Sequence, residues 1–174
     1  MSGTIGNLLV SAWLGASVLF ASAVAPAAFA VLPSRMLAGQ LTGRVLPVVF
    51  VSGIVVALLA FVLDRAAVGR ARRARRAALV IVAVACAAAQ FGVAPRIARA
   101  RSEIGGAIDT LPETDARRIA FGRLHAFSVV WLGLAMVAAG SAIVLTMLPP
   151  PSRRGDISVS AATVARLSTE RARR

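Results

Sequence analysis

The chain has 174 residues, 58% of them hydrophobic and only 16% charged, against about 25% charged in an ordinary soluble domain. All 20 cationic residues are Arg and the net charge is +13. No nucleic-acid recognition motif accompanies that charge, so a membrane surface of lipid headgroups, not nucleic acid, is the partner it implies. The single cysteine, Cys86, excludes an intrachain disulfide.

The mean hydropathy of +0.79 is concentrated in four uncharged blocks, residues 5–32, 45–63, 77–94 and 124–148. A helix needs about 20 apolar residues to cross the hydrocarbon of a bilayer, within a range of roughly 17–25. Transmembrane β-strands would run to about 10 residues of alternating polarity, and no block alternates. The expected fold is all-α: a polytopic membrane protein whose residues 1–148 form a four-transmembrane-helix bundle, followed by a basic tail over 149–174.

In the first block, Ala28-Phe29-Ala30 after Pro26 has the small-x-small pattern of a signal cleavage site. Residues 1–7 carry no Arg or Lys, however, and the apolar stretch is long, so the block is read as a retained helix. Gly15, Ala16, Ser17, Ala21, Ser22, Ala23 and Ala25 make this span rich in small residues. Such residues let helices approach closely in lipid, which favours a tight bundle and offers faces for homo- or hetero-oligomers.

The next connections set the orientation. Arg35 and Arg44 stand in the first loop, and Arg65, Arg70, Arg72, Arg73, Arg75 and Arg76 in the second. The third, residues 95–123, adds Arg96, Arg99, Arg101, Arg117, Arg118 and Arg123. Six more Arg residues lie in the tail. With four spans the second loop and the tail share a side, giving 12 Arg against eight. The positive-inside rule then puts both termini in the cytoplasm of an inner membrane.

The third span carries Cys86, expected to pack as a small hydrophobe against a neighbouring helix, and Gln90, suited to hydrogen bonding across helices. Gly105-Gly106 marks a break in the third connection. Thr110-Leu111-Pro112-Glu113 reads as a capping box, so a helix is expected to start near Thr110 and run into the fourth span. Pro149-Pro150-Pro151 ends that span. In the tail, Ile157, Ala161, Val164 and Leu167 fall at helical spacing, and both an interfacial helix and a disordered basic segment remain open.

His125 is the sole histidine. Phe121, His125, Ser128 and Leu132 share one helix face. A polar residue in a span is costly unless it faces protein or water. His125 is therefore either a functional contact or an interfacial histidine bonded to a carbonyl or to Ser128. One His, one Cys and four Met supply no ligand pair at metal-binding spacing, and no nucleophile–base pair or phosphate loop occurs. No cofactor is implied, and no enzymatic activity.

Two signatures together resemble a known family. One is Trp13-x-Gly15, then Ala25-Pro26-x-x-Phe29-x-x-Leu32 and Ala38-Gly39-x-x-x-Gly43. The other is Phe121-x-x-Leu124-His125-x-x-Ser128. They are similar to the transmembrane-protein-205-like family, whose bacterial members form a domain of unknown function (4149). Members often carry Asn one turn after the serine, where this chain has Trp131-Leu132. The resemblance implies a four-span protein with eukaryotic relatives connected to drug and metal tolerance, and hence a small transporter or tolerance protein. A non-catalytic subunit or assembly partner of a membrane complex is the alternative. The polar residues His125, Ser128, Gln90, Arg44 and Arg123 are expected to converge at the outer ends of the spans.

Overall fold

The computed structural model describes residues 2–64, 69–105, 108–147 and 171. The triple proline and the periodic stretch of the tail lie outside them, as does Gly106. Four stretches, Gly3–Val31, Arg35–Leu63, Gly69–Ile104 and Ala116–Met147, are helices long and apolar enough to cross a membrane. Only helices satisfy every backbone donor and acceptor within one segment in hydrocarbon, so an integral membrane bundle is the stable packing for this sequence. The fold is all-α.

The first span is α1 (Ser2–Leu19), a π-helical turn at Phe20–Val24, and α2 (Ala25–Val31). The third repeats that plan, with α4 (Gly69–Ala87), a π-helical turn at Ala88–Val93, and α5 (Ala94–Ile104). Each π turn closes with an i→i+5 bond, Ala25 N–H to the Phe20 carbonyl and Ala94 N–H to the Ala89 carbonyl. Pro26 and Pro95 follow at once. Proline lacks an amide hydrogen and crowds the preceding turn. The wider π turn accommodates this without ending the helix. The same tripeptide, Val-Ala-Pro, occurs at residues 24–26 and 93–95.

The second and fourth spans are α3 (Arg35–Leu63) and α6 (Ala116–Met147). In chain order the spans form a ring: α1 packs on α3, α3 on α4, α4 on α6, and α6 returns to α1. Each neighbouring pair is antiparallel. The interior is built largely from alanine, including Ala57, Ala60, Ala85, Ala135, Ala139 and Ala142, each no more than 1% exposed. Small side chains bring backbones close, and dispersion contacts then hold the helices together.

One close approach decides the centre of the bundle. The Trp13 indole donates from Nε1 to the Val49 carbonyl at 2.9 Å and lies over Gly53. A Cβ at Gly53 would stand 2.7 Å from Cys86 Sγ and 2.8 Å from the indole, so no larger residue fits there. Cys86 is fully buried in this layer, the packing role expected from sequence.

Several expectations are corrected. Only residues 32–34 connect the first two spans. Ser34 caps α3 by accepting from the Leu37 amide at 3.2 Å, so the Ala38-Gly39-x-x-x-Gly43-Arg44 segment is helical, not loop. Arg70 to Arg76 likewise stand on the first turns of α4. Hydropathy marks where a chain crosses hydrocarbon, whereas helix hydrogen bonding continues through polar turns beyond it. The helix of the fourth span begins at Ala116, not near Thr110. Thr110 closes a 3₁₀ turn, Ile108–Thr110, and Leu111 is disfavoured in the α region because Pro112 follows it. Asp115 starts the helix instead, its carboxylate accepting from the Arg117 amide at 2.8 Å. Finally, most small residues of the first span, Gly15, Ala16, Ala21, Ser22 and Ala23, are exposed rather than turned into the bundle. Ser17 alone among the seven is buried, donating to the Trp13 carbonyl at 2.8 Å.

At the end of the bundle where α3 stops, a buried polar network joins all four spans. Arg75 and Asp64 are each 1% exposed, with Nε 3.3 Å from the carboxylate. Arg75 donates to Asn7 Oδ1 on α1 at 2.6 Å, and Asn7 donates to Thr146 on α6 at 2.8 Å. Arg76 adds a second contact to Asp64 at 3.6 Å and lies over the Phe61 ring. Arg75 thus departs from the headgroup anchoring that the Arg run implies. It turns inward because Asp64 is the single acidic residue of the first 100 and a buried charge persists only when paired.

Candidate functional site

At the opposite end, the helices extend past their uncharged cores and splay around a cavity of about 470 Å³. Its wall on α3 is Arg35, Met36, Gly39, Gln40, Thr42, Gly43 and Leu46. Phe29 of α2, Ile97 and Arg101 of α5, and Phe121, His125 and Ser128 of α6 complete the enclosure, with Gly105 and Ile108 at the turn between α5 and α6.

Helical spacing explains why these residues meet. Gly39, Gly43 and Leu46 lie at i, i+4 and i+7 on α3, and Phe121, His125 and Ser128 repeat that spacing on α6. On α5, Ile97, Ala100, Arg101 and Ile104 form the half-buried stripe, and Arg101 is the one cation within it. Gly105, in the left-handed region at φ +66°, ends α5 and turns the chain toward α6.

Arg101 organises the site. Its Nη2 donates to the Gly39 carbonyl at 3.4 Å, and its guanidinium lies 5.8 Å from the centroid of the Phe121 ring. A Cβ at Gly39 would stand 3.2 Å from Nη2 and one at Gly43 3.6 Å from Nη1. The two glycines thus expose a strip of bare α3 backbone on which the guanidinium rests. That contact accounts for the Gly-x-x-x-Gly spacing better than close helix–helix packing does.

The other sequence candidates fall as follows. His125 is exposed toward the cavity, while Ser128 beneath it is 4% exposed. Arg44 lines an adjoining recess of about 240 Å³, which shares Gln40, Gly43, Arg101 and Ser128 with the larger cavity. Arg123 is exposed and lines neither. Gln90 sits in the second π turn, away from both cavities, with Oε1 buried and unbonded among the described residues. His125 therefore shares its cavity with Arg101 and Arg35 rather than with Arg44 or Gln90. Trp13 is core, Gly15 faces outward, Leu124 is half-buried outside the cavity lining, and Pro26 follows the first π turn.

In the sequence, Arg101 counts only toward topology. The signal that singles it out is an arginine on the apolar stripe of a short helix. Among the described residues no group of three His, Cys, Asp or Glu side chains could hold a metal ion.

The family model described as Domain of unknown function (DUF4149) matches residues 8–105, more than half of the chain. The chain belongs to this family. The match covers α1 to α5 and contains the α3 and α5 walls of the cavity, while Phe121, His125 and Ser128 lie beyond it. No curated protein and no solved structure matches the chain.

Proposed function

We propose that this DUF4149 protein binds a small molecule in the cavity between α3, α5 and α6, as a small transporter or tolerance protein. The observation that carries this reading is the cavity itself. It has the size of a small-molecule site, of the kind that runs to roughly 300–1,000 Å³. It combines apolar walls with a few polar side chains, and it opens at the end of the bundle opposite the Asp64–Arg75 network. The resemblance of Phe121-x-x-Leu124-His125-x-x-Ser128 to the transmembrane-protein-205-like pattern supports the same reading, and with it a place among bacterial inner-membrane proteins.

The alternative, a non-catalytic subunit, draws on the outward-facing Gly15, Ala16, Ser22 and Ala23 of the first span. Small residues on a lipid-facing surface suit a contact with another helix, from a second copy or from a different chain.

A strain lacking the gene separates the two readings. It is challenged with a panel of toxic ions and amphiphiles, then complemented with wild type or with Gln40→Trp, which places an indole in the cavity from an exposed helix position. If the cavity is the site, Gln40→Trp expressed at the wild-type level should behave as the deletion. Full complementation by the filled cavity would move the function to the helix faces.

A further inference from the structure

The chemistry of the cavity wall narrows what it takes, resting on the reading of the cavity as a small-molecule site. Arg35 and Arg101 both line it, and the Arg101 guanidinium lies against Gly39 and Phe121. Among the described residues neither has an ion-pair partner, whereas Arg75, Arg76, Arg117 and Arg118 each pair with a carboxylate. Arg101 spends one long hydrogen bond on Gly39 and keeps its remaining donors. A planar fork of donors held on an aromatic face is the arrangement that receives a carboxylate or phosphate bidentately. His125 lines the same wall and can add a donor.

Apart from Gln40, Thr42 and Ser128, the rest of the wall is apolar or glycine. Phe29 on α2 and Met36 on α3 line the cavity and are 46% and 45% exposed. These two side chains offer an accessible apolar surface to a hydrocarbon chain. We propose that the ligand is an anionic amphiphile, its carboxylate or phosphate head against Arg101 and Arg35 and its apolar chain along Phe29 and Met36 into the bilayer. Accessible apolar side chains in a cavity built on membrane-length helices favour a membrane-derived lipid over a free anion as the source.

The test uses the full chain purified in a non-ionic detergent, with bound adducts counted by native mass spectrometry during titration. Three probes separate the contributions: an oleoyl lysophosphatidate, its neutral counterpart monoolein, and inorganic phosphate. The lysophosphatidate is expected to bind most tightly. Arg101→Gln should weaken it by about tenfold or more, the scale of losing a charge-assisted bidentate contact. Arg73→Gln, on an exposed position at the opposite end, should leave it unchanged. Unaltered thermal unfolding of Arg101→Gln shows that the variant is folded, and Arg101→Lys should recover part of the affinity. Equal binding of monoolein and lysophosphatidate, indifferent to Arg101→Gln, would overturn the anionic class while leaving the cavity reading standing. Inorganic phosphate binding as tightly as the lysophosphatidate would overturn the amphiphile. If no probe binds in a way that Gln40→Trp abolishes, the cavity reading itself falls.

Discussion

At the scale of single residues, two positions govern the packing. Gly53 is bare because Trp13 and Cys86 occupy the space a methyl group would need. Gly53→Ala should cost about 1–3 kcal/mol, the usual penalty for overpacking a filled interior. Gly133→Ala, where no atom stands within 4 Å of a new Cβ, should be neutral or slightly stabilising. Equilibrium unfolding in mixed micelles compares them, and equal effects would show that the tight layer is not tight. The second position is Asp64. Asp64→Leu leaves Arg75 buried without its counter-ion, a loss of about 3–5 kcal/mol by analogy with other broken buried pairs. Adding Arg75→Met should restore much of that loss, since replacing both charges by apolar groups removes the unpaired charge. A double variant no better than Asp64→Leu would mean that the pair contributes little and that Arg75 acts through Asn7 alone.

At the scale of elements, some features are legible in the amino-acid sequence and others are not. The four spans follow from block hydropathy, because a hydrocarbon crossing demands a run of apolar side chains. The face shared by Phe121, His125 and Ser128 follows from helical spacing, and all three line the cavity. The helical extensions of α3 and α4 are hidden, since polar and glycine-containing turns look like loops to hydropathy and their helicity depends on Ser34 and on continuity with the span. Arg101 is hidden because its role depends on Gly39, some 60 positions earlier in the chain, and no local pattern shows that approach. The inward turn of Arg75 is hidden for the same reason, as it needs Asp64 and Asn7 on other helices.

The start of α6 gives an element-scale prediction. Asp115 accepts from the Arg117 backbone at 2.8 Å and from the Arg117 side chain at 2.9 Å and 3.2 Å. The side-chain hydrogen bond is the main reason its carboxyl lies below the ordinary carboxylate range. A depressed folded value makes the contribution complete above the unfolded pKa of about 3.9, and lost as pH falls through the folded value. Protection of the Arg117 amide, taken as its exchange relative to the intrinsic rate at each pH, should therefore hold at neutral pH and fall only in acid. Asp115→Ala should lower that protection at neutral pH and converge on wild type in strong acid. A wild-type Arg117 amide equally protected at pH 7 and in strong acid would remove Asp115 as the cap.

On the scale of the whole molecule, the two ends of the bundle are opposite in kind. One end is tied together by Asn7, Asp64, Arg75 and Thr146, and the other opens around Arg101. A protein that binds its ligand from one face of a membrane needs such an asymmetry, with access at one end and tight packing at the other. From the excess of Arg in the segments beside the Asp64–Arg75 end, we propose that this end is cytoplasmic and that the site opens to the outer face. The most direct measurement is cysteine accessibility in sealed vesicles, with Cys86→Ala removing the native thiol. In that background Thr42→Cys places a thiol in the cavity wall, and Arg73→Cys places one on the exposed surface at the other end. A membrane-impermeant thiol reagent should reach Thr42→Cys only from the outer face and Arg73→Cys only from the cytoplasmic face. Gln40→Trp should also slow the labelling of Thr42→Cys. A Thr42→Cys thiol that reacts from neither face, or from the same face as Arg73→Cys, would contradict a site open to the outer side.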